Sequence, residues 1–225
     1  EAVLIEVSTG KVLFEKNADR PMPPASMSKM MTIYMLFERL RDGRLSLEDT
    51  FRVSKNAWRK GGASSGSSTM FLLPGKRVKV EDIIRGIIIQ SGNDACIVIA
   101  EGLSGSEEAF AVEMTARGKE MGMTNSTFRN ATGWPHPEHL TTARDLAILS
   151  QKLIKDFPEY YRYFSEKSFT YNGIKQNNRN PLLYKDMGSD GLKTGHTKES
   201  GYGLAASVER RDRRLILVIN WLPSR

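Results

Sequence analysis

The chain opens on "AVLIEVSTGKVLFEKN" and closes on "GYGLAASVE" followed by "RRLILVINW", and most of what lies between has helical spacing. The opening stretch reads as two short strands joined by a Gly-containing turn at Ser8–Gly10, and the closing two as a pair joined by a charged turn. Strands at both ends with helices between them predict an α/β fold. A central antiparallel sheet takes strands from both chain ends, helices flank it, and an all-helical lobe is inserted. We expect one domain over residues 1–225, with the sheet lobe at about 1–45 and 160–225 and the helical lobe at about 46–159. Internal repeats and low-complexity tracts are lacking.

Between these ends the punctuation is clear. Pro21, Pro23 and Pro24 stop the extended chain and precede a helix from Ala25 to Arg41. Met30, Ile33, Tyr34, Phe37 and Leu40 recur there at helical spacing, and Gly43 ends it. The Gly/Ser-rich "KGGASSGSST" at 60–69 leads straight into "MFLLPG" and is expected to be a mobile surface loop. Two apolar helical segments, 80–90 and 94–103, are broken by Ser91-Gly92-Asn93. Ser106 caps a helix that stops at Gly122, and Thr141 or Thr142 starts another. Asn172-Gly173 between alternating apolar positions predicts a hairpin.

At 225 residues the chain can bury a core without disulfides, and its only cysteine, Cys96, lies in "ACIVIA", where a buried, inert thiol is expected. Nothing approaches eighteen unbroken apolar residues, so no membrane-spanning helix is read. The formal charge is +7, but basic side chains are scattered and not interleaved with aromatics. That argues against a nucleic-acid partner and suits anionic surroundings such as a membrane surface or a cell-wall polymer. The chain begins at Glu1 with no initiator Met and no signal-peptide pattern, so it is expected to be a processed or trimmed chain.

The chemistry concentrates at "PPASMSKMMT". Ser26 and Lys29 stand at i and i+3, on one face of the first helical turn. A hydroxyl is a poor nucleophile until a base removes its proton, and an amine can be that base when burial lowers its pKa. Met27, Met30 and Met31 can supply the desolvation. Ser91 and Asn93 interrupt two buried helical runs, offering a second hydroxyl for proton shuttling and an amide to orient a carbonyl. Lys193-Thr194-Gly195 then falls in a strand context. There Gly195 would let a substrate backbone approach, while Lys193 and Thr194 offer a cation and a donor to a carboxylate.

S-x-x-K, S-x-N and K-T-G in this order are the motif set of penicillin-binding proteins and class A β-lactamases, here with SGN for SDN. The chain resembles a low-molecular-mass penicillin-binding protein of the serine D-alanyl-D-alanine carboxypeptidase type. The likeness runs nearly end to end, through "TGKVLFEKNAD", "STMFLLPG", "RGIIIQSGNDACIVIAE", "NGIKQNNRN" and "DGLKTGHTKESGYGLAAS". The resemblance implies the β-lactamase/transpeptidase-like fold, with Ser26 as acylated nucleophile, Lys29 as its base and Ser91 in the proton network. It implies Asn93 on the substrate amide, Lys193 supporting the network and carboxylate site, and Thr194 and Arg179 on the terminal carboxylate. Backbone N–H groups of Ser26 and His196 would form the oxyanion hole, and the 61–69 loop would lie beside the site and influence deacylation. It further implies a peptidoglycan stem peptide ending in D-Ala-D-Ala as substrate, β-lactams as acylating mimics, and no metal or cofactor. The expected compartment is the periplasm or the extracytoplasmic face of the membrane. Relatives continue past this point with a helix, a β-rich domain and a membrane anchor, so membrane attachment would come only through such an anchor.

Rivals are a serine β-lactamase, an endopeptidase or transpeptidase sharing the acyl-enzyme, and a catalytically dead module that grips stem peptides. A class A β-lactamase activates water with a Glu followed by Asn four residues later, and no Glu here has Asn at that spacing. His136 and His139 in "HPEH" lack an obvious third ligand and read as a polar surface turn rather than a zinc site. No Gly-rich phosphate loop is present, since "SSGSST" lacks its lysine.

Overall fold

Strands from both chain ends meet in one antiparallel sheet. The computed structural model describes residues 1–224. Its first elements are a hairpin of β1 (Ala2–Glu6) and β2 (Val12–Lys16). A short 3-10 turn, Ala25–Ser28, leads directly into α1 (Lys29–Arg41), which ends where Gly43 takes a φ of +71°. A ribbon of β3 (Thr50–Arg52) and β4 (Arg77–Lys79) brackets α2 (Lys55–Gly61). Then come α3 (Val80–Ile88), α4 (Asn93–Ser104), α5 (Glu107–Glu120), α6 (Ala143–Asp156) and the short α7 (Pro158–Tyr161). The Ser106 and Thr142 side chains cap α5 and α6 by accepting the N–H of Ala109 and Asp145.

A second ribbon, β5 (Ser168–Tyr171) and β6 (Ile174–Asn177), turns at Asn172-Gly173. The chain closes with β7 (Ser189–Thr197), β8 (Gly201–Arg210) and β9 (Arg213–Leu222). The five-stranded sheet has the order β2-β1-β9-β8-β7. Thus β9 pairs Val3 with Val218 and joins the two chain ends, while β7, the strand of the Lys193-Thr194-Gly195 motif, forms one edge. Hydrophobic burial concentrates on α1: Met30, Met31, Ile33, Leu36 and Phe37 are each at most 1% exposed. That places α1 in the middle of the core, contacting α3, α4, α5 and α6.

The structure departs from the sequence reading in three places. The inserted lobe is not all helical, because β3 and β4 cross it; strands of three residues are too short for alternation to register in the sequence. The β5–β6 hairpin forms as expected but stands as a separate ribbon outside the main sheet. Finally, the expected mobile loop is at the surface only in part: Ala63, Ser64 and Gly66 are exposed, but its first two glycines are not. Gly61 and Gly62 are buried, with Gly61 closing α2 against the start of α4.

A Cβ on Gly61 would lie 2.6 Å from the Asn93 carbonyl carbon and would also overlap the Asp94 amide. Backbone on backbone leaves nothing soft to yield. Gly61→Ala is therefore expected to cost about 1–3 kcal/mol, as overpacking does. It should also shift the α4 start that carries Asn93. A thermal melt within a degree of the parent would refute this.

Candidate active site

The turn that carries Ser26 is held in a conformation that few side chains tolerate. Ala25, just before Ser26, has a φ of +50°, and Ser91 has +56°. Non-glycine residues in the left-handed region cost of order 1–3 kcal/mol and persist only where their surroundings impose them. Two glycines do so at Ala25. Gly133 (φ +82°) packs against the Ala25 carbonyl group. A Cβ on Gly195 would meet Pro24 O at 2.9 Å and the Ser26 nitrogen at 3.2 Å. The glycine of the K-T-G motif thus makes room for the turn that carries Ser26, in addition to the substrate approach expected of it.

Ser26 and Lys29 sit together, but in the 3-10 turn and at the first residue of α1, not within one α-turn. Lys29 Nζ lies 2.9 Å from Ser26 Oγ and donates to the Thr132 carbonyl at 2.6 Å. The lysine is 1% exposed. Burial, helped by the Arg179 cation, brings its pKa down from 10.5 to about 8, against the partial opposition of Cys96, Asp94 and Glu107. An ammonium donates to Ser26 Oγ; once neutral, the same pair reverses and the hydroxyl donates to the amine.

The carbonyl that receives Lys29 is itself fixed. Asn130 Oδ1 accepts the N–H groups of Thr132, Gly133 and Trp134 at 3.2, 2.8 and 3.1 Å. From α1, the Thr32 hydroxyl donates to Ala131 O at 2.7 Å. The sequence reading left this segment unassigned. Its visible signal is Asn-Ala-Thr-Gly, an Asx-type turn before a glycine.

Lys193 is 3% exposed and donates to Ser91 Oγ at 3.0 Å and to Thr194 O at 3.1 Å. The bond to Ser91 is the link expected of a lysine that supports the Ser91 network. Thr194 is half-buried on the edge strand, and His196 is exposed and stacked on Tyr202 with ring centroids 4.1 Å apart. Asn93 donates through Nδ2 to Ser67 Oγ at 3.1 Å, while its buried Oδ1 accepts no bond among the described residues. Arg179 donates to Ser68 Oγ at 2.6 Å. Ser26, Ser67, Ser68, Asn93, Trp134 and His196 line one groove of about 540 Å³. All nine residues singled out from the sequence therefore lie in or immediately around one site.

His139 corrects an expectation. It is 2% exposed, and burial holds its pKa down at about 4. Its Nδ1 accepts the Arg129 N–H at 3.2 Å, so Nε2 carries the proton and donates to Ser28 Oγ at 2.6 Å. Of the two histidines only His136 is a surface residue; His139 braces Ser28, which lies between Ser26 and Lys29. Among the described residues no three His, Cys, Asp or Glu side chains converge as a metal site, and no helix is long and apolar enough to cross a membrane. Cys96 is fully buried, and burial raises its thiol pKa to about 12.

A sequence profile of peptidase S11, the D-alanyl-D-alanine carboxypeptidase family, matches residues 1–220. D-alanyl-D-alanine carboxypeptidase DacC of Escherichia coli is 46% identical over 96% of this chain and 55% of its own length. DacF of Bacillus subtilis is 39% identical over 97% of this chain and 56% of its own. The chain therefore spans about half the length of the curated relatives it matches. Penicillin-binding protein 5 of Haemophilus influenzae superposes with a TM-score of 0.93 at 40% identity, covering 97% of this chain and 63% of that one. A profile match from the first strand to the last, relatives of this identity and a shared backbone agree with the motif geometry: the chain belongs to the D-alanyl-D-alanine carboxypeptidase family.

Proposed function

We propose that the chain is the acyl-transfer unit of a serine D-alanyl-D-alanine carboxypeptidase. It would remove the terminal D-alanine from peptidoglycan stem pentapeptides on the extracytoplasmic side of the membrane. Neutral Lys29 takes the Ser26 proton as Oγ attacks the carbonyl carbon of the penultimate D-alanine. The oxyanion is received by the backbone N–H groups of Ser26 and His196. The Ser91–Lys193 pair returns a proton to the departing D-alanine nitrogen, leaving an ester on Ser26 that water hydrolyses. Asn93 holds the substrate amide, and Arg179 with Thr194 holds the terminal carboxylate. The observation carrying this reading is the buried Lys29 amine, 2.9 Å from the Oγ of Ser26, which lines the groove.

β-Lactams present a strained amide where the D-Ala-D-Ala bond would lie, so they acylate the same serine. An intact-mass time course with excess benzylpenicillin, run beside Ser26→Ala, tests this. A lasting adduct of one drug mass, absent from the variant, is the expected result. Drug consumed without a lasting adduct would make the protein a β-lactamase. Neither adduct nor consumption would make it a non-catalytic binder.

A further inference from the structure

The loop that aims the Thr132 carbonyl at Lys29 touches the start of α1 at two places well apart in its own sequence. At one end Thr132 O accepts Lys29 Nζ at 2.6 Å, and Gly133 packs against the Ala25 carbonyl group. The chain then leaves the core through residues 134–138, all exposed, and returns at His139, which is 2% exposed. There Nε2 donates to Ser28 Oγ at 2.6 Å, and Ser28 is itself fully buried. Ser28 follows Ser26 by two positions and precedes Lys29 by one, so its side chain leaves the turn on another face than theirs. His139 does not line the groove, and it grips the turn from outside while Thr132 meets it within.

His139 is in turn held in place. Nδ1 accepts the Arg129 N–H at 3.2 Å, and the His139 backbone N–H donates to His136 O at 2.9 Å. The Phe128 ring stands edge-on to the imidazole, with centroids 5.6 Å apart. Backbone pairs of Thr127 with Leu140 and of Thr141 with Met22 close the loop around it. An acceptor at Nδ1 leaves the ring proton on Nε2, facing Ser28. Burial, and the positive charge that His136, Lys29 and Arg129 can carry, keep the ring neutral. His139 is therefore a fixed donor rather than a proton carrier.

We propose that His139 is a positioning residue for acyl transfer: through Ser28 it fixes the turn that carries Ser26, and through the loop it closes it fixes the carbonyl that holds Lys29. It touches neither substrate nor the reacting atoms. The inference rests on the reading of Ser26 as the acylated serine. Without the Nε2–H bond, Ser26 Oγ and Lys29 Nζ drift apart and the amine gains access to water. A misplacement of about 1 Å can cost about 10²-fold in rate, and nothing in it weakens binding in the groove.

The test follows acylation by benzylpenicillin with rapid-quench mass spectrometry over a range of drug concentrations. This separates the affinity of the first complex from the rate of the covalent step. His139→Phe keeps a ring beside Phe128 without the donor, and His139→Gln keeps an N–H near the place of Nε2. Ser28→Ala removes the acceptor with little change in volume, and it carries the test by itself if the ring variant does not fold. The covalent step is expected to slow about tenfold in His139→Phe and in Ser28→Ala, with first-complex affinity within about twofold of the parent. Because the two side chains act as one pair, the double variant should be no slower than the slower single one. His139→Gln should regain most of the rate. Independently of activity, carbon-13 NMR of Cε-labelled lysine follows the titration of Lys29, assigned by its absence from Lys29→Met. Its midpoint should rise from about 8 towards 10.5 in the two variants that lose the bond and stay put in His139→Gln. Parental covalent rates in His139→Phe and Ser28→Ala, or slower rates with the Lys29 midpoint unmoved, would overturn the proposal. A midpoint that moves in a chain that benzylpenicillin never acylates would sink the carboxypeptidase reading and leave the brace on Lys29 standing.

Discussion

Replacing Lys29 by methionine is expected to make the protein more stable while acylation by benzylpenicillin falls by about 10³-fold or more. The two effects share one cause. Lys29 is 1% exposed between methionines, and its pKa of about 8 measures how poorly that site tolerates the ammonium. A drop from 10.5 to about 8 corresponds to about 3 kcal/mol disfavouring the charged form at neutral pH. Methionine has nearly the same length and no charge. It forfeits the bonds to Ser26 Oγ and Thr132 O, so the net gain should be about 1–2 kcal/mol, a few degrees in Tm. A site that destabilises its own fold in order to keep a base is the usual form of the trade between stability and activity. A Lys29→Met protein that melts below the parent at pH 7 would show that the amine is held by its contacts rather than strained by its burial.

The sign of the pH dependence follows. Below about pH 8 the lysine is protonated in both folded and unfolded chains, and the folded state carries the full penalty. Between about 8 and 10.5 the unfolded chain holds a proton that the folded one has lost, so unfolding becomes harder as pH rises. The advantage of Lys29→Met should therefore be greatest near neutrality and shrink across that window. Over the same range the acylation rate of the parent should climb along a limb centred near pH 8, because only the neutral amine can take the serine proton. A rate that is flat from pH 6 to pH 9 would remove Lys29 from the role of base.

Why Ser26 and Lys29 were legible in the sequence while Thr132 was not is a matter of which atoms do the work. Ser26, Lys29, Ser91, Asn93 and Lys193 act through side chains at short fixed spacings, and side-chain identity is what a sequence displays. Thr132 acts through its carbonyl, and any residue there offers one; what makes it special is the Asn130 turn that aims it. His139 was misread because "HPEH" is polar and proline-rich, whereas its burial comes from a chain reversal that bridges Thr127 to Leu140 and Thr141 to Met22. The sheet was readable from its flanking strands, since β1, β8 and β9 are long enough to show their apolar content. The ribbon of β3 and β4 offered three residues a side, below the length at which periodicity speaks.

Asp94 is the residue whose removal should damage the fold most. The sequence presents it as nothing more than the acidic start of a helix. In the structure it is fully buried and accepts four hydrogen bonds. Oδ1 takes the N–H groups of Met70 and Ala95, each at 3.0 Å; Oδ2 takes the Thr69 hydroxyl at 2.7 Å and the Leu72 N–H at 3.0 Å. One carboxylate thus ties the 69–72 segment to the start of α4. That segment continues from Ser67 and Ser68, which receive Asn93 and Arg179. Asp94→Ala leaves three backbone donors without their carboxylate in a site water cannot reach, at a cost of about 3–5 kcal/mol and about 10 °C in Tm. Asp94→Asn keeps the shape but turns one acceptor into a donor aimed at other donors, so it should fall between parent and alanine. Well below the melting temperature, acylation by benzylpenicillin should still be slowed in both variants, because the serines that hold Asn93 and Arg179 lose their anchor. If Asp94→Ala melts within 2 °C of the parent, the 69–72 segment is held by other contacts. If the variant melts early yet acylates at the parental rate, this wall of the groove does not need Asp94 for its place.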